Sequence, residues 1–126
     1  MRLPLATRFG DYDSRGHVHN AVYLVYFEIA RERLWLDVLG GAADFPFVIA
    51  AASLRYLSRA RVGEALDVEI EAGEVRSKAW VWRYRVLERT TGRLVVDGET
   101  TQVMFDYAAG ASVPIPPGLR ARLVAA

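Results

Sequence analysis

Apolar and polar positions divide the chain into one long helical segment followed by a run of strands. From Ala21 to Leu39 the apolar residues are Ala21 to Phe27, Ile29, Ala30, Leu34 to Leu36, Val38 and Leu39, with charge confined to Glu28, Arg31, Glu32, Arg33 and Asp37. Apolar side chains cover most of the circumference of the first two turns, which predicts a largely buried helix. Gly40 and Gly41 supply its stop signal. Ahead of it, Leu3 to Phe9 alternates loosely and reads as a short edge strand. After a turn through Ala42 to Pro46, Phe47 to Arg59 is long and mostly apolar, as expected of a central strand covered on at least one face. Glu64 to Ala72 alternates cleanly, Leu66, Val68 and Ile70 against Asp67, Glu69 and Glu71. Ser77 to Leu87 sets Trp80, Trp82, Tyr84 and Val86 against Arg83 and Arg85. Thr90, Thr91 and Gly92 read as a hairpin turn into Arg93 to Tyr107. Ala108 to Gly118, rich in proline and glycine, leaves the sheet, and Leu119 to Val124 reads as a last helical turn.

Short connections force antiparallel neighbours, and a helix apolar nearly all round needs a sheet curved about it. The expected class is therefore α+β: a five-stranded antiparallel sheet wrapped around a long central helix, with residues 1–126 as one domain. A hydrophobic fraction of 52% over 126 residues supports a real core.

Composition removes several function classes. The chain has no cysteine, so disulfides, a thiolate nucleophile and cysteine-ligated metals are excluded. No apolar run is long enough to span a membrane and the N-terminus lacks a signal-peptide core, so a soluble cytoplasmic protein without a membrane partner is expected. A net charge of +1 does not call for a nucleic-acid partner. The basic residues are almost all arginine, which suits bidentate contacts to phosphate or carboxylate and equally fits composition bias.

Candidate chemistry gathers just before the helix. Asp11, Asp13, His17, His19 and Asn20 lie in one loop, and Asn20 stands where it can cap the helix. Three readings fit these residues. The aspartates can fix a polar turn. Two Asp and two His can bind a metal, although their spacing forms no helical ligand pair and the chain has no further His. A carboxylate beside a helix N-terminus can serve acyl transfer, as nucleophile or base, with free backbone N–H groups receiving an oxyanion.

The segment Arg8 to Arg31, RFGDYDSRGHVHNAVYLVYFEIAR, resembles the signature of the hotdog-fold acyl-CoA thioesterases of the 4-hydroxybenzoyl-CoA thioesterase-like family. That pattern is D-x-D-x-x-G-H-V-N-N followed by a Tyr-bearing helix ending in E-x-A-R. Arg61 to Glu64 resembles the family's P-A-x-x-G-D connection, and Val113 to Leu119 its P-I-P-x-x-L tail. Two departures stand out: His19 replaces the usual Asn, and Ser58-Arg59-Ala60 replaces a Pro-Ala pair.

The resemblance implies a hotdog fold and hydrolysis of an acyl-CoA thioester, or of an acyl-carrier-protein thioester, without metal or other cofactor. It aligns Asp13 with the catalytic carboxylate, as nucleophile or general base. His17 falls beside the reacting carbonyl or in a loop-shaping role, and Asn20 at the helix start, while Asp11 is expected to fix the loop and Glu28 with Arg31 to form an i, i+3 pair. Substrate contacts are expected at His19, Tyr23, Arg59 and Arg61, with Arg55, Arg89 and Arg93 as further candidates for phosphate. The family joins two sheets edge to edge, so a homodimer or homotetramer is expected. Two rivals remain open: a non-hydrolytic acyl-CoA binder, and a hotdog dehydratase acting on 3-hydroxyacyl thioesters, which would carry a different motif.

Overall fold

The computed structural model describes residues 1–126. Its elements are β1 (Arg2–Pro4), a 3-10 turn (Phe9–Asp11), α1 (Val22–Arg33), β2 (Phe47–Tyr56), β3 (Leu66–Val75), β4 (Ala79–Glu88), β5 (Leu94–Asp106), β6 (Ala111–Ser112) and α2 (Pro117–Ala125). The strands form an antiparallel sheet in the order β1-β3-β4-β5-β2, and the two-residue β6 adds to the end of β5. The expected five strands and central helix are thus present, with β6 as a short addition. No helix is long and apolar enough to cross a membrane.

The sheet curls because one face carries large side chains that close on α1. Trp80, Trp82, Tyr84 and Val86 of β4 and Leu66, Val68 and Ile70 of β3 are all buried against Tyr23, Tyr26, Phe27, Ala30 and Leu34. Phe27 stacks flat on Tyr84, ring centres 4.3 Å apart. Gly98 of β5 makes this possible. It lies opposite Tyr84 and Leu54, and a Cβ there would collide with the Ser53 carbonyl and stand 2.9 Å from the Phe27 ring. Beyond Arg33 the helix widens into a π-helical turn, Leu34–Val38, which tucks Trp35 beneath Trp80 and lets its indole N–H donate to the Ala42 carbonyl at 2.8 Å. Gly40, at φ +62, then turns the chain out of the helix. α2 sends Leu119 and Leu123 into the same core.

The other face of the sheet is laced by cross-strand ion pairs, Arg85 to Glu69 at 2.6 Å and Arg2 to Asp67 at 2.8 Å among them. Its exposed pairs, Arg83 with Glu99 for example, contribute about 0–1 kcal/mol each and mainly keep the face wet, whereas Asp67 is buried and also accepts Arg89.

Two expectations need correction. The long apolar strand is not central: β2 pairs only with β5 and forms the edge of the sheet, with Ala50, Ala51, Ala52 and Ser53 exposed. Nor is α1 buried nearly all round, because Leu24, Val25 and Ile29 are each 40% exposed beside that edge. Both share one cause. A single curled sheet covers only the side of the helix that it faces, and the side toward β2 stays open.

Candidate active site

The loop before α1 is a small hairpin held by its own backbone. Tyr12 bridges Val18, His17 bridges Arg61, the Val18 N–H donates to the Ala60 carbonyl, and the Val62 N–H donates to the Gly16 carbonyl. Gly16, at φ +75, supplies the left-handed turn residue. Asp11 anchors this hairpin to the helix. It is buried, and its carboxylate accepts the Arg8 N–H at 2.9 Å, the Arg8 guanidinium at 3.2 Å and the Tyr26 hydroxyl at 3.0 Å. Burial and then the bond to Asp11 push the Tyr26 phenol far above its usual range, so it stays a neutral donor. The loop-fixing role expected of Asp11 is what its contacts perform.

Asp13 sits at the turn of the hairpin with different surroundings. One carboxylate oxygen accepts the backbone N–H groups of Arg15 at 2.8 Å and His17 at 3.1 Å. The other oxygen has no protein donor. The His17 and Arg15 amides, in that order, hold the carboxyl below its ordinary value, so Asp13 is a half-buried anion at neutral pH with one free oxygen.

The start of α1 faces the same space. Its first turn is closed by the Val22 N–H on the His19 carbonyl and the Leu24 N–H on the Ala21 carbonyl, and the amides of Asn20, Ala21 and Tyr23 have no protein acceptor. These are the orphan donors of a helix N-terminus, where developing negative charge is stabilised. Asn20 does not cap the helix. Ala21 occupies the cap position without a side-chain bond, because the tight turn from His19 already closes the first turn. The Asn20 carbonyl instead accepts the Tyr56 hydroxyl at 3.1 Å, and its exposed amide side chain is left to the cleft.

That cleft has a volume of about 560 Å³, and Asp13, His17, Asn20, Tyr23 and Arg59 of the residues singled out in the sequence line it. Tyr23 is almost fully buried, its ring 5.9 Å from that of Tyr56, and burial pushes its phenol up. His19 and Arg61 are exposed and fall outside the lining. Arg15, Val18, Tyr56, Leu57 and Ser58 line it without having been expected at the site. The last three follow one another at the end of β2, and only the pairing of that strand end with the helix start brings them in.

The arginines sort by their partners. Arg55 forms a two-pronged pair with Asp97, Arg89 bonds Asp67 at 2.8 Å and Arg93 bonds Glu64 at 2.8 Å, whereas Arg59 and Arg61 make no ion pair. His, Asp and Glu side chains nowhere gather in a group of three that could hold a metal ion.

Residues 7–123 match the sequence model of the thioesterase-like superfamily. An L-carnitine dehydrogenase/betainyl-CoA thioesterase of Rhizobium meliloti (strain 1021) is 29% identical over 118 residues, 88% of this chain, and the match spans only 23% of that protein. A crystal structure of a thioesterase from Thermus thermophilus, complexed with coenzyme A and zinc, superposes with a TM-score of 0.87 and 26% identity over 98% of this chain and 91% of the other. A 1,4-dihydroxy-2-naphthoyl-CoA thioesterase from Synechocystis shares the fold at 17% identity, with a TM-score of 0.85 over 98% of this chain and 94% of its own. The fold is the hotdog fold.

Proposed function

We propose that this chain, which belongs to the thioesterase-like superfamily, is a thioester hydrolase that converts an acyl-CoA and water into a free acid and CoA, with Asp13 as the reacting carboxylate. The observation that carries this reading is the juxtaposition of a free carboxylate oxygen on Asp13 with the unpartnered amides of Asn20 and Tyr23 at the start of α1, three residues that line one cleft. A thioester carbonyl seated against the amides of Asn20 and Tyr23 would have its oxygen polarised as charge develops on it. The Asp13 carboxylate then attacks the carbonyl carbon, or takes a proton from a water that does. In the first route the thiolate is expelled and a mixed anhydride with Asp13 is left, which water cleaves to the acid and the carboxylate; in the second, water adds directly and supplies the oxygen of the acid; in both the C–S bond breaks and the CoA thiolate is protonated. His17 acts here through its backbone, whose N–H fixes the carboxylate. Arg59 at the cleft and Arg61 beside it, both free of carboxylate partners, are the cations available to the nucleotide phosphates.

The site belongs to a pair of chains in this reading. The outer edge of β2 leaves a row of backbone donors and acceptors unpaired, flanked by the half-exposed Leu24, Val25, Ile29 and Ile49. Two copies joined antiparallel along β2 cover both the edge and the apolar stripe. Light scattering should return at least twice the 14.1 kDa chain mass, and a monomer at micromolar concentration would refute the pairing.

Hydrolysis is tested by thiol release with a colorimetric reagent over short, medium, long, aromatic and betainyl CoA thioesters and an acyl-carrier-protein thioester. The chain has no cysteine to contribute background. Release that needs Asp13 is the expected result. No release from any of these thioesters would overturn the hydrolytic reading.

A further inference from the structure

The first turn of α1 breaks its own pattern at one carbonyl. Its bonds run from an amide to the carbonyl three residues back, Val22 to His19 at 3.0 Å and Leu24 to Ala21 at 3.2 Å. The bond that belongs between them, Tyr23 to Asn20, is missing. The Asn20 carbonyl instead accepts the Tyr56 hydroxyl at 3.1 Å, and the Tyr23 amide is left without a protein acceptor. Tight bonds to the third residue back are how helix ends satisfy their orphan groups, so these two are each other's natural partners. What separates them is Tyr56, the group that holds the carbonyl.

Tyr56 reaches the helix start from the other side of the cleft, and it is held firmly. It is the last residue of β2 and stands in register with Val96 of β5. The chain just beyond it is tied to the same neighbouring strand, with the Leu57 and Ser58 amides both on the Val95 carbonyl at 2.9 and 3.1 Å. Its ring packs beside that of Tyr23, centres 5.9 Å apart, and the Tyr23 ring stands edge-on to Tyr26. One side chain thus both pins the residue that carries the free amide and occupies the carbonyl that would quench it. The Asn20 amide needs no such help, because the carbonyl three residues before it, that of His17, accepts the Asp13 N–H at 2.7 Å.

Resting on the thioesterase reading above, we propose that Tyr56 is a positioning residue for the reaction: by holding the Asn20 carbonyl outward, it keeps the Tyr23 amide unpaired and ready to meet the thioester oxygen as that oxygen becomes an oxyanion. An amide already bonded within its own helix would have to break that bond before donating to substrate, and the loss would offset the stabilisation gained in the transition state. The Tyr56 hydroxyl keeps its proton and its bond to the Asn20 carbonyl throughout and does not touch the reacting atoms.

Tyr56→Phe removes the hydroxyl and keeps the ring beside Tyr23, so the Asn20 carbonyl should turn to the Tyr23 amide. Hydrogen exchange at the ¹⁵N-labelled Tyr23 amide, followed by NMR without substrate, should be rapid in the wild type and slow by about ten-fold or more in the variant. With one good thioester, kcat should fall about ten- to a hundred-fold, less than the roughly 10²–10³ lost when an oxyanion donor is deleted, because the amide is still there to be recovered. KM should stay within about two-fold, since the contact is made only in the transition state. A side chain that merely steadied the fold would not slow exchange at this one amide. A Tyr23 amide already protected in the wild type overturns the assignment before any variant is made. Wild-type kcat in Tyr56→Phe, or a lowered kcat with exchange at Tyr23 unchanged, overturns it as well and leaves the thioesterase reading standing. Slowed exchange in the variant with no thiol release from the wild type would do the reverse, ending the hydrolytic reading and keeping Tyr56 as the residue that holds the amide open.

Discussion

Replacing Asp13 with Asn changes charge and almost nothing else, and the surroundings of the carboxylate fix what should follow. The oxygen that accepts the Arg15 and His17 amides at 2.8 and 3.1 Å is replaced by an amide oxygen of the same shape, so the hairpin keeps both bonds. The side chain is only half-buried at the cleft, and the melting temperature should shift by no more than about 2 °C. Activity should respond very differently. An amide neither attacks a thioester nor removes a proton from water, so kcat should fall by about 10²–10⁴. The pH profile adds a second, independent reading. Because the two amides hold the Asp13 carboxyl below its ordinary 3.8, the active carboxylate form is present above that pH and is lost only as pH falls through it. Wild-type kcat/KM should therefore stay flat on the acid side down to about pH 5, and the variant should lack this acid limb. The assay is thiol release from one good thioester substrate between pH 3 and 9, with the fold checked by circular dichroism at each end. Label recovered in the Asp13 carboxyl after single-turnover hydrolysis in ¹⁸O water identifies the nucleophilic route, since it enters there only if that group attacks. An Asn variant within ten-fold of wild type would remove Asp13 from the chemistry, and an acid limb centred near pH 6 would assign the rate to a histidine.

Asn20→Ala should leave the melting temperature unchanged within about 2 °C, because Ala21 and not Asn20 holds the cap position; a loss of about 1 kcal/mol would show that its side chain caps after all. Gly98→Ala should cost about 1–3 kcal/mol by forcing Phe27 off the sheet, read by chemical denaturation, and an unchanged midpoint would show that the sheet yields there at no cost. Glu88 accepts the Thr90 and Thr91 amides and the Thr91 hydroxyl and titrates at about 2 against an ordinary 4.5. Its folded value is the lower one, so its contribution to stability is present above pH 4.5 and lost as pH falls toward 2. Glu88→Gln should be less stable than wild type at pH 7 and equal to it at about pH 2 in urea melts, and a gap that persists at the acid end would refute that origin. Removing Arg59 and Arg61 together, each to Ala, should raise KM for CoA thioesters while leaving thioesters of N-acetylcysteamine, which lack the nucleotide, unaffected; equal losses on both would deny the phosphate role.

The sequence alone determined whatever depends on neighbours within a few residues. Helix period, strand alternation, the Thr90–Gly92 turn and the clustering of acids and histidines before α1 are all local signals, and each stands where the pattern put it except the first strand, read as Leu3 to Phe9, which is only Arg2–Pro4 and gives way to a 3-10 turn at Phe9. Asp13 was legible for the same reason, since its two amide donors lie two and four residues away. Tertiary structure decided what depends on which segments meet. Phe47 to Arg59 reads as apolar whether a strand has two neighbours or one, and only the pairing order sets β2 at the edge. That placement opens one side of α1 and leaves Leu24, Val25 and Ile29 half-exposed. It also brings Tyr56, Leu57 and Ser58 to the cleft, and with them the hydroxyl that holds the Asn20 carbonyl. The arginine partners are equally invisible to spacing: Arg55 and Asp97 lie 42 residues apart, Arg93 and Glu64 29. Asn20 shows the limit of a local rule, because a cap residue and a tight turn from His19 compete for the same helix end. Hydrophobic period reports that a side chain wants burial, and only the packed chain decides what buries it.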